Sequence, residues 1–454
     1  MDKSLQTLGQ YAASLTYNDL PATTVQAVKQ RIVDSLACAL GGYLLEAGKV
    51  ARHLCPPTDA EFGARIIGSL QRTTPEMAAF ANATMVRDLD HSDVYHPSIA
   101  SGGHPSNSIS APLAVAEAVG ASGMSLITAI ALGYEMYVPF IEGKAKIKSQ
   151  FEVDGLMASF GSAMAAGKLL GLNAEQLATA ASLALIANVG LGMRRVGKVS
   201  MYKEFYAGMA ARQGIFCAQM AQAGVTAPEE AIESNQGGLK HVVMTDGVFE
   251  LDRLAGKGQQ FMIEKTIIKT FPIGGGVHLS AFAAMELKKK VRADEIASIV
   301  VKTEAYGKST SAMPQHWHPT TRETADHSIP VAVAITLVDG AVTAESWKKE
   351  RYKAPEVLDL IARISVEENP EFTQQYPGKK NIVIEAKTHS GETRAVHLVR
   401  TSKDDQTSDD IVNTKFRHYA DEVLTRSQAA TTLEAIWHLE KLENAGTLLD
   451  HMRV

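Results

Sequence analysis

The spacing of apolar residues changes twice along the chain, and this limits the fold more than any other feature. From the start to about residue 265 they recur at helical spacing, as in VQAVKQRIVDSLACALGG and GSAMAAGKLLGLNAEQLATAASLALI. Around residue 267 alternating β-branched runs take over, IASIVVKTEAY and NIVIEAKTHS among them, interleaved with helix-like stretches such as GVHLSAFAAMELKKK. After about residue 403 the helical period returns in DDIVNTKFRHYADEVL and TTLEAIWHLEKLEN. At 454 residues the chain exceeds what one hydrophobic core usually serves. The pattern predicts a mainly α protein with an α+β lid. Residues 1–265 form a large all-α domain, 266–402 a smaller inserted α+β lid domain, and 403–454 C-terminal helices that pack back on the first domain.

The predicted helices are rich in Ala and Gly, which lets helix axes approach closely. Gly41-Gly42 and Gly224 follow periodic runs and read as C-terminal caps, while Asn173 and Thr226-Ala227-Pro228 read as helix starts.

A net charge of -5 and the lack of a dense Lys/Arg run argue against nucleic-acid binding. A polyanionic ligand would need cations gathered locally in a site. Cys38, Cys55 and Cys217 are widely spaced, with no C-x-x-C pair for zinc or an iron–sulfur cluster. The segment MDKSLQTLGQYAASL lacks the apolar core of a signal peptide, and Glu117, Gly120 and Glu135 interrupt the apolar stretch 108–140. A cytoplasmic protein with no membrane association is expected.

Four stretches concentrate ionisable groups. The first holds Asp88, Asp90, His91, Ser92, Asp93 and His96-Pro97, then Gly102-Gly103-His104-Pro105-Ser106-Asn107, between two predicted helices. General acid–base work needs such a cluster, although a polar loop with capping Asp residues has the same composition. Its Asp-x-Asp-x-x-Asp lacks the Gly and distal Glu of a calcium loop. The second is Met193-Arg194-Arg195-Val196-Gly197-Lys198-Val199-Ser200-Met201-Tyr202-Lys203, before the small-residue run Gly208-Met209-Ala210-Ala211. It suits carboxylate clamping by Lys203 and an Arg, or a solvated basic face. It does not have the order of a phosphate-binding loop.

The third stretch is Lys269-Thr270-Phe271-Pro272-Ile273-Gly274-Gly275-Gly276-Val277-His278, at the domain boundary, where a Lys can reach an interdomain cleft. Its glycines do not have dinucleotide spacing. The fourth, Trp317 to Pro330, includes Arg322, Asp326, His327 and Ser328. Helix capping by itself accounts for Asp326 and Ser328, and no G-x-S-x-G elbow is present.

In this order the four stretches resemble the MmgE/PrpD family over nearly the whole chain. The family's Asp-x-(Asp/Asn)-x-(Ser/Thr) element and His-Pro-Ser turn are matched by Asp88, Asp90, Ser92 and His104-Pro105-Ser106. Its Lys five residues before Gly-x-Ala-Ala is matched by Lys203 and Gly208-Met209-Ala210-Ala211. Lys-x-(Phe/Tyr)-Pro with a His nine residues after the Lys is matched by Lys269, Phe271, Pro272 and His278. Ala-x-His-Ser before Leu-x-x-Gly is matched by Ala325, His327, Ser328, Leu337 and Gly340.

The resemblance implies a helical domain built from both chain ends, an inserted lid, a homodimer, and no metal or organic cofactor. Implied activities are dehydration of 2-methylcitrate or citrate, decarboxylation of cis-aconitate and epimerisation of iminodisuccinate, all on small di- or tricarboxylates. Where the decarboxylases carry a His-x-Thr element, this chain reads Phe151-Glu152-Val153-Asp154-Gly155, and the Ala-Asp-His-Ser wording leans to dehydratases.

A carbon–oxygen lyase of this kind removes a proton beside a carboxylate, stabilises the resulting charge and protonates the leaving hydroxyl. Lys203 and Lys269, with Arg194 or Arg195, are expected to neutralise carboxylates and the developing enediolate. His104 is expected to transfer a proton with Asp88 orienting it, Ser92 to bind a carboxylate, and His327 or His278 to be the second proton-transfer group. The competing expectations are an epimerase, which exchanges protons without losing water, and a non-catalytic ligand-binding helical protein, in which Lys203, Lys269 and His104 would not converge.

Overall fold

The computed structural model describes residues 1–95, 103–141, 147–148, 150–195, 198–246, 249, 251–256, 259–401 and 407–454. The helices of ten residues or more are α1 (Lys3–Ser14), α2 (Ala22–Tyr43), α3 (Pro75–Asp88), α4 (Ser110–Val119), α5 (Gly123–Glu135), α6 (Val153–Leu169), α7 (Ala174–Ala187), α8 (Tyr202–Gln222), α9 (His278–Lys288), α10 (Ile329–Asp339), α11 (Asp409–Ala420) and α12 (Arg426–Trp437). The longer strands are β1 (Ile296–Thr303), β2 (Ile364–Glu368), β3 (Lys380–Thr388) and β4 (Thr393–Arg400), all within the region of alternating spacing. The chain is mainly α, as its periodicity predicted.

Two hydrophobic clusters account for nearly all the core. The larger gathers Leu5 through Ile268, and Val412 and Phe416 of α11 and Leu433 and Ile436 of α12 are buried in it. The second gathers Phe271 through Val396. There a four-stranded sheet runs in the order β4-β3-β1-β2, with β1 and β2 parallel and the other pairs antiparallel, and α9 packs on β3 and β4 and against α10.

Glycines set the closest helix crossings. A Cβ on Gly208 of α8 would lie 2.5 Å from the Phe80 carbonyl oxygen of α3, and one on Gly161 of α6 would lie 2.6 Å from the Gly133 carbonyl oxygen of α5. Gly41-Gly42 corrects the capping expectation. α2 runs through both to Tyr43, and a Cβ on Gly42 would stand 2.2 Å from the Met85 carbonyl oxygen. The pair therefore serves close packing against the last turn of α3.

Asn173 and Gly224 behave as predicted: Asn173 caps α7 through the Gln176 amide, and Gly224 takes φ +89 just after α8. Thr226-Ala227-Pro228 does not start a helix. That segment is claimed instead by tertiary bonds: the Asp2 carboxylate accepts from the Ile232 and Glu233 amides, and the Pro228 carbonyl accepts from Ser182. Val94–Tyr95 pairs antiparallel with Thr266–Ile267, which ties the loop after α3 to the segment that enters the second cluster. Among the described residues no helix is long and apolar enough to cross a membrane.

Candidate active site

α3 ends at Asp88, and two residues later Asp90 adopts a left-handed backbone with φ +49, a conformation that costs a non-glycine residue free energy. Its carboxylate is buried and becomes the hub of a charged cluster. Arg87 Nη1 lies 2.8 Å from Asp90 Oδ1. Because Gly208 lets α8 press against α3, Lys203 in the first turn of α8 brings its Nζ to 3.3 Å from Asp90 Oδ2. Lys269, just beyond Thr266–Ile267, donates to Asp90 Oδ1 at 2.5 Å, the Asp90 carbonyl at 2.8 Å and the Ile273 carbonyl at 3.1 Å.

The second cluster supplies the other side. The short helix Arg322–Ala325 is capped by Thr321, and Ser328 caps α10, so Asp326 and His327 are held between two capped helices. Lys203 Nζ donates to Asp326 Oδ2 at 2.9 Å, and His327 Nδ1 bonds Asp326 Oδ1. His327 Nε2 lies 3.4 Å from Asp90 Oδ2. Gly274 makes room for this imidazole: a Cβ there would be 2.9 Å from His327 Cδ2, and the Gly274 amide donates to the Asp326 carbonyl at 2.8 Å.

His104 enters from the loop before α4. Its Nδ1–H donates to the Asp93 carbonyl at 2.8 Å, and its Nε2 lies 3.7 Å from Asp90 Oδ1. Asp93 is itself fixed by the Ser106 amide at 3.0 Å and the Tyr134 hydroxyl at 2.9 Å. Two imidazole Nε2 atoms, one from the loop before α4 and one from the link before α10, thus flank the same carboxylate that two lysines hold.

The electrostatics follow from burial against these contacts. Burial opposes the charge on Asp90, but Arg87, Lys269 and Lys203 outweigh it and hold the carboxyl well below its usual range. Burial likewise works against Lys203, and Asp326, Glu204 and Asp90 keep its ammonium above its ordinary value. For Lys269 burial wins: with Asp90 opposing and Arg87 adding repulsion, the ammonium is pushed down to about 8. Burial and then Lys203 lower His327, with Asp326 opposing, so the imidazole is neutral near pH 7. Burial lifts Glu204 to about 7 against the pull of Lys203 and Arg322.

Asp90, Asp326 and His327 also bring ligand atoms within 4.8 Å of one another, a spacing a cation could use. The Lys203 ammonium already meets both carboxylates and supplies the positive charge there.

The family model for the MmgE/PrpD N-terminal domain matches residues 6–251, and that for the MmgE/PrpD C-terminal domain matches residues 271–441. The chain belongs to the MmgE/PrpD family. It is 23% identical to human cis-aconitate decarboxylase over 96% of this chain and 91% of that protein. It is 26% identical to 2-methylcitrate dehydratase of Cupriavidus necator over 77% of this chain and 75% of that one. It is also 24% identical to cis-aconitate decarboxylase of Aspergillus terreus over 97% and 94%.

In this MmgE/PrpD chain His104, Lys203, Lys269 and His327 meet around Asp90. Asp88 is occupied elsewhere: Arg322 Nη2 donates to it at 2.6 Å and the Gly48 amide at 3.2 Å. Asp90 Oδ1 lies 3.7 Å from His104 Nε2, and the carboxylate of Asp88 pairs with Arg322. The Ser92 hydroxyl is buried and finds no hydrogen-bond partner among the described residues. His278 opens α9 with its ring 5.6 Å from that of Phe271, and its buried Nε2 is likewise unpartnered among them. The side chains of Arg194 and Arg195, and all of His96, Pro97 and Gly102, lie outside the described residues.

Sequence reasoning passed over Asp90 as hub, Asp326, Arg87 and Arg322. Arg322 bridges Asp88 and Glu204, at 2.6 and 3.1 Å, and so joins the two clusters. Asp90 stood in the quoted motif, but the spacing does not show that the helix stops at Asp88. Asp326 looked like a cap because it precedes a helix. That role belongs to Ser328.

Proposed function

We propose that this MmgE/PrpD protein is a hydro-lyase that dehydrates 2-methylcitrate, or citrate, to the cis-aconitate-type product by lysine and histidine acid–base chemistry. The observation that carries the reading is the convergence on Asp90 of two lysines, within 3.3 Å, and two imidazole Nε2 atoms, within 3.7 Å. A non-catalytic ligand-binding protein has no need to bury so many ionisable groups together.

In the proposed reaction His327, neutral and held through Nδ1 by Asp326, takes the proton from the carbon beside a substrate carboxylate. Lys203 and Lys269 stabilise the enediolate charge in a water-poor site, as fixed charges do best. His104, carrying a second proton on Nε2 as an imidazolium beside Asp90, gives that proton to the hydroxyl and is left neutral with Nδ1–H; the carbon–oxygen bond breaks, and the alkene and water form. Ser92 and His278, whose hydroxyl and Nε2 have no partner among the described residues, bind substrate carboxylates together with Arg194 or Arg195. In this reading residues 266–402 act as the lid, since they supply His327. The protein works as a cytoplasmic homodimer, for which the exposed apolar stripe of Tyr202, Met209 and Phe216 along one face of α8 offers a surface.

A second reading, cis-aconitate decarboxylation, is favoured by one observation: relatives carrying that name align over more of the chain than the dehydratase of Cupriavidus necator does. Lys269→Ala and His104→Ala are each expected to abolish turnover of 2-methylcitrate while far-ultraviolet circular dichroism stays that of the parent. Full activity in either variant would overturn the assignment.

A further inference from the structure

We infer that Lys415 of α11 is a positioning residue for the reaction, holding in place the two backbone segments that bring Asp90 and Lys269 together. The inference rests on the proposed role of Lys269.

Lys415 is buried, and its ammonium has three acceptors from three different parts of the chain. It donates to Asp34 Oδ1 of α2 at 2.5 Å, to the His91 carbonyl at 2.5 Å and to the Lys269 carbonyl at 3.4 Å. His91 directly follows Asp90. One ammonium therefore pins the peptide after the hub carboxylate and the peptide of the lysine that grips it.

The Asp90–Lys269 contact needs this support. Asp90 has a strained left-handed backbone, and Arg87 and Lys203 repel the Lys269 ammonium that Asp90 holds at 2.5 Å. Three donors reaching three fixed oxygens restrict both segments together, as outer hydrogen-bond partners do for groups that react. Lys415 itself touches none of the proposed reacting atoms. The remaining neighbours agree with a fixed rather than a relay arrangement: His91 Nδ1 is bonded to the Tyr419 hydroxyl at 2.7 Å, also on α11, and burial holds His91 and His278 neutral. α11 lies far along the chain from the four stretches that carry the chemistry, so no local motif marks this residue.

Removing Lys415 alone would strand Asp34, whose second oxygen already has no partner among the described residues. Fold and position would then fail together. The double variant Lys415→Met with Asp34→Asn removes the buried charge pair as a unit, which is far less damaging to a fold than breaking it. Lys415→Arg keeps the charge but replaces a compact ammonium with a planar fork.

The test reads Lys269 directly, by competitive labelling of the intact protein with trace acetic anhydride across the neutral to alkaline range, followed by peptide mass spectrometry. Asp90, Arg87 and Lys203 set the titration of Lys269, His91 and His278 lie within its field, and Lys415 meets its carbonyl. With the staple gone, the Asp90 contact loosens. The Lys269 titration midpoint is expected to fall below its value in the parent protein, and kcat on 2-methylcitrate to fall about 10- to 100-fold per folded molecule, with a smaller change in KM.

If the double variant does not fold, Lys415→Arg carries the same readouts. An unchanged Lys269 midpoint in the folded variants overturns the inference. If the midpoint falls while Lys269→Ala retains full turnover, the positioning stands and the catalytic reading of Lys269 fails.

Discussion

Gly274→Ala changes one hydrogen into a methyl group and should still cost most of the activity. The added Cβ would sit 2.9 Å from His327 Cδ2, 3.1 Å from Nε2 and 3.2 Å from Cγ. Carbon atoms in contact prefer about 3.5–4.0 Å, so the ring or the backbone must give way by roughly 0.5–1 Å. The ring has little freedom to do so, since Nδ1 is bonded to Asp326 and Asp326 is bonded to Lys203 at 2.9 Å. Moving the backbone instead breaks the 2.8 Å bond from the Gly274 amide to the Asp326 carbonyl. A displacement of about 1 Å at a proton-transfer group costs on the order of 100-fold in rate, or about 2.7 kcal/mol of transition-state stabilisation.

The assay is kcat/KM on 2-methylcitrate beside thermal unfolding. Gly276→Ala is the control, since a Cβ there meets only Ser311 Oγ at an ordinary 3.4 Å. A Gly274→Ala enzyme with parental kcat/KM would refute the argument that His327 must occupy its present place.

Three further outcomes follow from the same geometry. The parent pH profile of kcat/KM should fall on the alkaline side as Lys269 loses its proton near pH 8, and on the acid side as His327 gains one below its ordinary value. Lys269→Arg should remove the alkaline fall, and its persistence would count against Lys269. Asp90→Asn leaves Lys269 and Arg87 without their buried counter-charge. It should destabilise the protein by about 3–5 kcal/mol and move the alkaline fall to lower pH, both readable by denaturant unfolding and rate profiles. Gly42→Ala drives a Cβ to 2.2 Å from the Met85 carbonyl oxygen and should cost about 1–3 kcal/mol, readable as a lower Tm; an unchanged Tm would refute the close packing of α2 on α3.

Much of this was readable from spacing because helices and strands print their period on apolar residues. The α2, α7, α9 and β1 segments, for example, lie where those runs fall. His104, Lys203, Lys269 and His327 were legible because motif order survives in a linear chain. What spacing does not carry is direction. Asp88 and Asp90 are two residues apart, and only the end of α3 and the left-handed turn decide that Asp88 faces Arg322 while Asp90 faces the lysines. The glycines misled for a similar reason: Gly41-Gly42 looks like a cap until α3 is laid across it, and Gly274 is simply a turn residue until His327 arrives from across the second cluster. Lys415 has no local signal, since its three acceptors come from three distant segments.

The most direct test of the functional claim follows the near-ultraviolet absorbance of a conjugated tricarboxylate while purified protein acts separately on 2-methylcitrate, citrate and cis-aconitate, with and without chelator. A rise in absorbance with 2-methylcitrate or citrate that chelator does not affect, and that Lys269→Ala abolishes, is the predicted result. No rise with either substrate, together with itaconate and carbon dioxide formed from cis-aconitate, would contradict the hydro-lyase reading and establish the decarboxylase.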